Sequence, residues 1–106
     1  MSIVQNLADL LNYQNGAVVS RTVLKNAGGN ITLFAFAAGE GLSEHTAPFE
    51  AWVYGVDGEA DIMIDGQAYR IHVGETITLP ANRPHAVRAL TPFKMLLVMI
   101  RAERVF

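Results

Sequence analysis

Apolar and polar positions follow two different periods along this chain. Ile3, Leu7, Leu10 and Leu11 fall at helical spacing, with Ser2 placed to cap the first turn and Asn15-Gly16 to end the run, so residues 1–14 are expected to form a short amphipathic helix and turn. No helical period survives beyond them. Gly28-Gly29-Asn30, Gly39-Glu40-Gly41, Asp57-Gly58, Asp65-Gly66, Gly74, Pro80 to Pro84 and Thr91-Pro92 divide the remainder into short segments rich in Val, Ile, Leu, Phe and Thr. This punctuation predicts strands at 17–25, 31–38, 51–56, 59–64, 67–73, 76–79, 85–90 and 93–101. Asp-Gly favours the positive backbone angles of a tight hairpin turn, so the two Asp-Gly pairs predict that 51–56, 59–64 and 67–73 run as one antiparallel meander. About eight strands with no helix between them make an all-β sandwich or barrel.

Length and charge narrow this picture. With 106 residues and 51% apolar content the chain holds one domain, 1–106, and one core, the barrel occupying residues 15–106. Charged residues are 17% and the net charge is -2, which lacks the basic footprint that nucleic acid or an anionic membrane surface requires. The longest apolar run, Met95 to Ile100, is far below the ~20 residues of a membrane-spanning helix. The absence of cysteine excludes a thiol nucleophile, a thiolate metal site and disulfides, and fits a reducing compartment. No basic segment precedes an apolar run at the N-terminus, so a cytoplasmic location is expected. High apolar content with little charge leaves apolar surface for a second subunit, and a homodimer is expected.

The stretch from Gly39 to Ala89 carries spaced residues that resemble the two motifs of the cupin family. Gly39 is followed after five residues by His45, and Gly58 closes the first motif at the expected interval. Gly74, Pro80 and His85 keep the intervals of the second, with Asn82 in a glycine position, where it is the non-glycine residue that best tolerates left-handed backbone. The resemblance implies a cupin double-stranded β-helix, or jelly-roll barrel. It also implies a metal held by four positions, which read His45, Ala47, Ala51 and His85 here, with Ala89 in place of the second motif's last asparagine. Two of four ligands remain.

Strand alternation places Glu44 and Glu50 out of register with those positions. A bulge at Pro48 would re-aim Glu50, and His45, His85 and Glu50 would then form a two-histidine, one-carboxylate set for divalent iron, manganese, nickel or zinc. Without it, the alanines leave a wider, more apolar pocket lined by His45, Ala47, Ala51, Val53, Met63, His85 and Val87, with one of Met95, Leu97 and Met99 nearby. Trp52 and Tyr54 should face outward, His72 is expected on a partly exposed strand, and Arg83 is the cation best placed to meet a substrate carboxylate at the mouth, Arg70 and Arg88 being ordinary surface charges. No Gly-x-Ser-x-Gly elbow and no phosphate-binding glycine loop is present. Three readings stay open: a cupin that binds a small polar molecule around His45 and His85, with or without a divalent metal; a metal-dependent oxygenase or isomerase acting on a small hydroxy or keto compound; and a scaffold that works through its dimer surface. Catalytic residues are not assignable from the sequence.

Overall fold

The computed structural model describes residues 3–101, so the expected cap at Ser2 lies outside the described residues. Nine strands follow one short 3-10 turn: β1 (Val18–Asn26), β2 (Gly29–Phe36), β3 (Gly41–His45), β4 (Phe49–Asp57), β5 (Ala60–Ile64), β6 (Gln67–Ile71), β7 (Thr76–Leu79), β8 (His85–Ala89) and β9 (Phe93–Arg101). They form two antiparallel sheets, ordered β1-β2-β9-β4-β7 and β3-β8-β5-β6, that face each other across one core. Phe36, Val53, Ile62, Phe93 and Met95 are its large sealed side chains. This is the all-β barrel that the strand spacing and the motifs imply. No helix among the described residues is long and apolar enough to cross a membrane.

The N-terminal helix does not form. Among the described residues of this segment only Leu7–Asp9 turns, capped by the Asn6 side chain accepting from the Ala8 N–H, and the residues from Leu10 to Tyr13 lie as an irregular strap across the outer face of the five-stranded sheet. Lys94, 8% exposed, donates to the Ala8 carbonyl at 2.7 Å and sits 4.9 Å from the centre of the Tyr13 ring, while Arg21 donates to the Leu10 carbonyl at 2.9 Å. Helical spacing of Leu7, Leu10 and Leu11 thus reflects contact with a sheet that supplies its own donors. Tyr13 donates to the Asp57 carboxylate, and burial, followed by that carboxylate's bond and charge, pushes its phenol well above the usual range.

The expected meander is half right. Asp65 and Gly66, with φ of 51° and 82°, turn β5 into β6 as a paired hairpin. Asp57-Gly58 makes no hairpin: β4 belongs to one sheet and β5 to the other, so this turn carries the chain over the barrel's corner. Gly58 has φ +74°, and a Cβ there would lie 1.8 Å from the Pro92 carbonyl oxygen. Backbone packing, not turn type, therefore demands glycine.

On the outer face of the five-stranded sheet, Leu24, Ile31, Val98 and Trp52 stand opposite one another strand by strand, with Ile100 beside them. Leu24 and Ile100 are more than half exposed, and Trp52 stacks on Tyr54 with ring centres 6.0 Å apart. Both rings face outward, as alternation requires.

Two glycines separate backbone strain from close packing. Gly66→Ala, with open space around it, is expected to cost about 1 kcal/mol for its left-handed φ alone. Gly58→Ala should cost about 3 kcal/mol or more, because the carbonyl of Pro92 must also move. Urea unfolding midpoints of the two variants measure the difference, and equal losses would contradict it.

Candidate functional site

His45 reaches the inner face at the open end of the cleft through a bulge, and stays exposed there. On β3 and β8, Leu42 pairs with Val87 and His45 pairs with His85, so three steps along β3 match two along β8. The extra residue reverses the alternation: Leu42 and His45 share the inner face, which Glu44 would otherwise occupy. The two imidazoles meet edge to face with centroids 4.4 Å apart. Beyond His45 the alternation continues unbroken through Ala47, Phe49 and Ala51.

The loop that delivers His85 is tied to the β3–β4 connection and to the β5–β6 turn. Asn82 adopts φ 63°, the left-handed conformation its motif position requires, and its N–H donates to the Ala47 carbonyl at 2.8 Å. Asp65 donates its N–H to the Pro84 carbonyl at 2.9 Å, and its carboxylate pairs with the Arg83 guanidinium. Arg83 is therefore occupied by a turn residue and does not meet the cleft. Arg70 is paired with Asp61, which holds that carboxyl below its usual range. His72 lies exposed just past β6, between Glu59 at 3.1 Å and Glu75 at 2.8 Å, far from the motif residues in register; its hydrogen bond lowers the Glu75 carboxyl.

Around the histidines lies a cleft of about 40 Å³, lined by Leu42, His45, Ala47, Phe49, Ala51, Leu79, His85, Val87, Met95, Leu97 and Met99. At ~10–15 Å³ per site it has room for about three waters. The wide pocket expected from two alanines is not there, because Met99 stands directly opposite Ala51 on β9 and its side chain shares the inner face with Leu97 and Met95. All three of these residues, not one, reach the cleft.

Of the residues expected to line it, His45, Ala47, Ala51, His85 and Val87 do so. Val53 faces inward but is sealed in the core below the cleft. Met63 is on the opposite face of β5: Ile62 beside it pairs with Val87 inside, so Met63 and its partner Ala86 point out. Glu50 is exposed on the outer face of β4, since no bulge at Pro48 interrupts the inward row of Phe49 and Ala51. The bulge lies earlier, in β3, and serves His45. Leu42, Phe49 and Leu79 escaped the sequence reading. Phe49 was recoverable as the residue two before Ala51, and Leu79 as its partner across β7.

These positions are those of a known family. Residues 32–100 match the Cupin_2 family, described as Cupin domain. The chain belongs to the cupin family. Among solved structures it is similar to a conserved protein of unknown function from Streptococcus pyogenes, with 34% identity over 98% of this chain and 91% of that one and a TM-score of 0.91. A cupin 2 conserved barrel domain protein from Leptotrichia buccalis is 41% identical with a TM-score of 0.88, the match covering 92% of this chain and 47% of that one, about half its length. A cupin superfamily protein from Desulfitobacterium hafniense is 29% identical over 91% of this chain and 88% of that one, at a TM-score of 0.87. A search of curated proteins finds no match.

Cupins often hold a metal, and the donor set here does not fit one. Among the described residues no three His, Asp, Glu or Cys side chains gather where an ion could sit. Two imidazoles fall short of the three protein ligands of a typical open site. Ala47→His adds a third imidazole on the same face and supplies the missing donor. Zinc should then raise the melting temperature of the Ala47→His variant by about 10 °C or more at a hundredfold excess over Kd, and leave the parent unchanged. Differential scanning calorimetry with and without zinc checks this.

Proposed function

We propose that this cupin binds a compact small molecule in the cleft beside His45 and His85, with an apolar body against Met95, Leu97 and Met99 and a polar end at the imidazoles. One observation carries the reading: a paired set of imidazoles opens onto an otherwise wholly apolar lining. The ligand makes its room by displacing methionine, whose unbranched side chain repacks at low cost. A metal-dependent oxygenase or isomerase needs further donors that the described residues do not supply at this place.

The test compares tag-free protein with its His45→Ala and His85→Ala variants by elemental analysis and thermal melting. The expected result is less than stoichiometric iron, manganese, nickel and zinc in all three, and no rise in melting temperature when those ions are added. A stoichiometric metal in the parent that both variants lose overturns the metal-free reading in favour of the enzyme.

The proposal extends to a second copy of the chain, paired through the stripe of Leu24, Ile31, Val98, Trp52 and Ile100, which runs across four neighbouring strands and can meet itself about a two-fold axis. Trp52→Lys should convert a dimer into a monomer in light scattering, with the far-ultraviolet spectrum unchanged. A parent protein that is monomeric at every concentration measured sinks this part.

A further inference from the structure

The hydrogen bonds behind the two imidazoles determine what they offer to the cleft. His45 Nδ1 lies 2.9 Å from the Ser43 carbonyl oxygen, and His85 Nδ1 lies 3.1 Å from the Arg83 carbonyl oxygen. A carbonyl oxygen can only accept, so each Nδ1 carries the hydrogen and each neutral ring keeps a bare lone pair on Nε2. Two acceptors side by side cannot satisfy each other. Each needs a donor from a third party.

Water fills that role in the free protein, because His45 is exposed, and among the described residues no lining side chain does. The rest of the lining is apolar, with no lysine, arginine, hydroxyl or amide side chain in it. The neighbouring cations are engaged elsewhere: Arg83 with Asp65, Arg70 with Asp61, and Arg101 with the Ala27 carbonyl at 3.2 Å as it crosses the Phe49 ring. A carboxylate entering here would set its charge against two lone pairs with no countercharge, and an ether or ketone would bring a third acceptor to two. A hydroxyl group brings the hydrogen that displaced water otherwise gives.

We propose that the cleft selects neutral hydroxyl-bearing molecules, and adjacent hydroxyl pairs above single ones, over carboxylates and ethers of the same shape. The selection rests on the reading of the cleft as a small-molecule site and adds the chemical class of its ligand. The hydroxyl hydrogens go to Nε2 of His45 and His85, and the apolar remainder lies against the methionines, whose sulfur atoms suit an aromatic ring.

Phenol, catechol, anisole and benzoate separate these properties, since they share a ring and differ in donors and charge. At pH 8, where an ordinary imidazole is neutral, phenol should bind at least about tenfold more tightly than anisole or benzoate, and catechol more tightly than phenol. Methyl resonances of Leu42 and Met95 report occupancy in the parent protein and in Met99→Ala, which enlarges the cleft, and that of Met99 reports it in the parent. His85→Phe keeps a ring but removes one acceptor and should abolish catechol's advantage over phenol. Independently of any ligand, nitrogen-15 spectra of the free protein should show protonated Nδ1 and bare Nε2 on both rings.

Protonated Nε2 on either ring overturns the selection, as does binding of anisole or benzoate as tight as that of phenol; in the second case the small-molecule site itself stands. If none of the four probes perturbs those methyl groups in either protein, the site reading falls and takes the selection with it.

Discussion

The pairing of His45 with His85 depends on a single surplus residue between Leu42 and the histidine, and much of the site follows from it. A regular β3 would send Glu44 inward and His45 into solvent, placing a carboxylate against the apolar lining and separating the imidazoles. With the surplus residue, the inner row runs from His45 through Ala47 and Phe49 to Ala51, and the far end of that row meets β9 and β7 at Met99 and Leu79. The same row anchors the opposite loop, because the Ala47 carbonyl receives the Asn82 N–H. Strand register, loop position and side-chain chemistry are thus one arrangement, not three.

What could be read from the amino acids was mostly backbone geometry. Gly39, Gly58, Gly74 and Asn82 all adopt positive φ, as their spacing demanded, because such positions exclude nearly every other residue and so leave a mark in the sequence. The strand β3 left no such mark. Gly41-Leu-Ser-Glu-His has one apolar residue, and its bulge erases the alternation by which a strand is recognised. For the same reason the phase at Glu50 was open until the position of the bulge was known. Met63 was misplaced because Ile62, Met63 and Ile64 are all apolar, and a run of that kind does not say which member faces inward. The N-terminal strap failed differently: its leucines have helical spacing, but Lys94 and Arg21, distant in sequence, hold its carbonyls.

The exchange of large polar side chains for alanines at positions 47 and 51 did not leave a hollow. Across the ladder Met99 faces Ala51, and a long flexible side chain opposite a short one restores the density that a barrel interior needs. The chemical result is a cleft with one polar corner. Its two imidazoles each hold a backbone carbonyl through Nδ1 and, among the described residues, have no third ionisable side chain to share a metal with, which is why the proposed role of the corner rests on lone pairs and hydrogen bonds.

The corner at Asp57-Gly58 also bears on how the chain reaches this state. Because β4 and β5 are neighbours in sequence but belong to different sheets, and β9 must insert between β2 and β4, most strands find their partners far along the chain. The five-stranded sheet is incomplete until β9 arrives, and the four-stranded sheet, with the histidine of β3, waits for β8. Such a topology puts folding among the slower, millisecond-to-second processes of small proteins, and on a ribosome it delays the assembly of the barrel until nearly the whole domain has emerged.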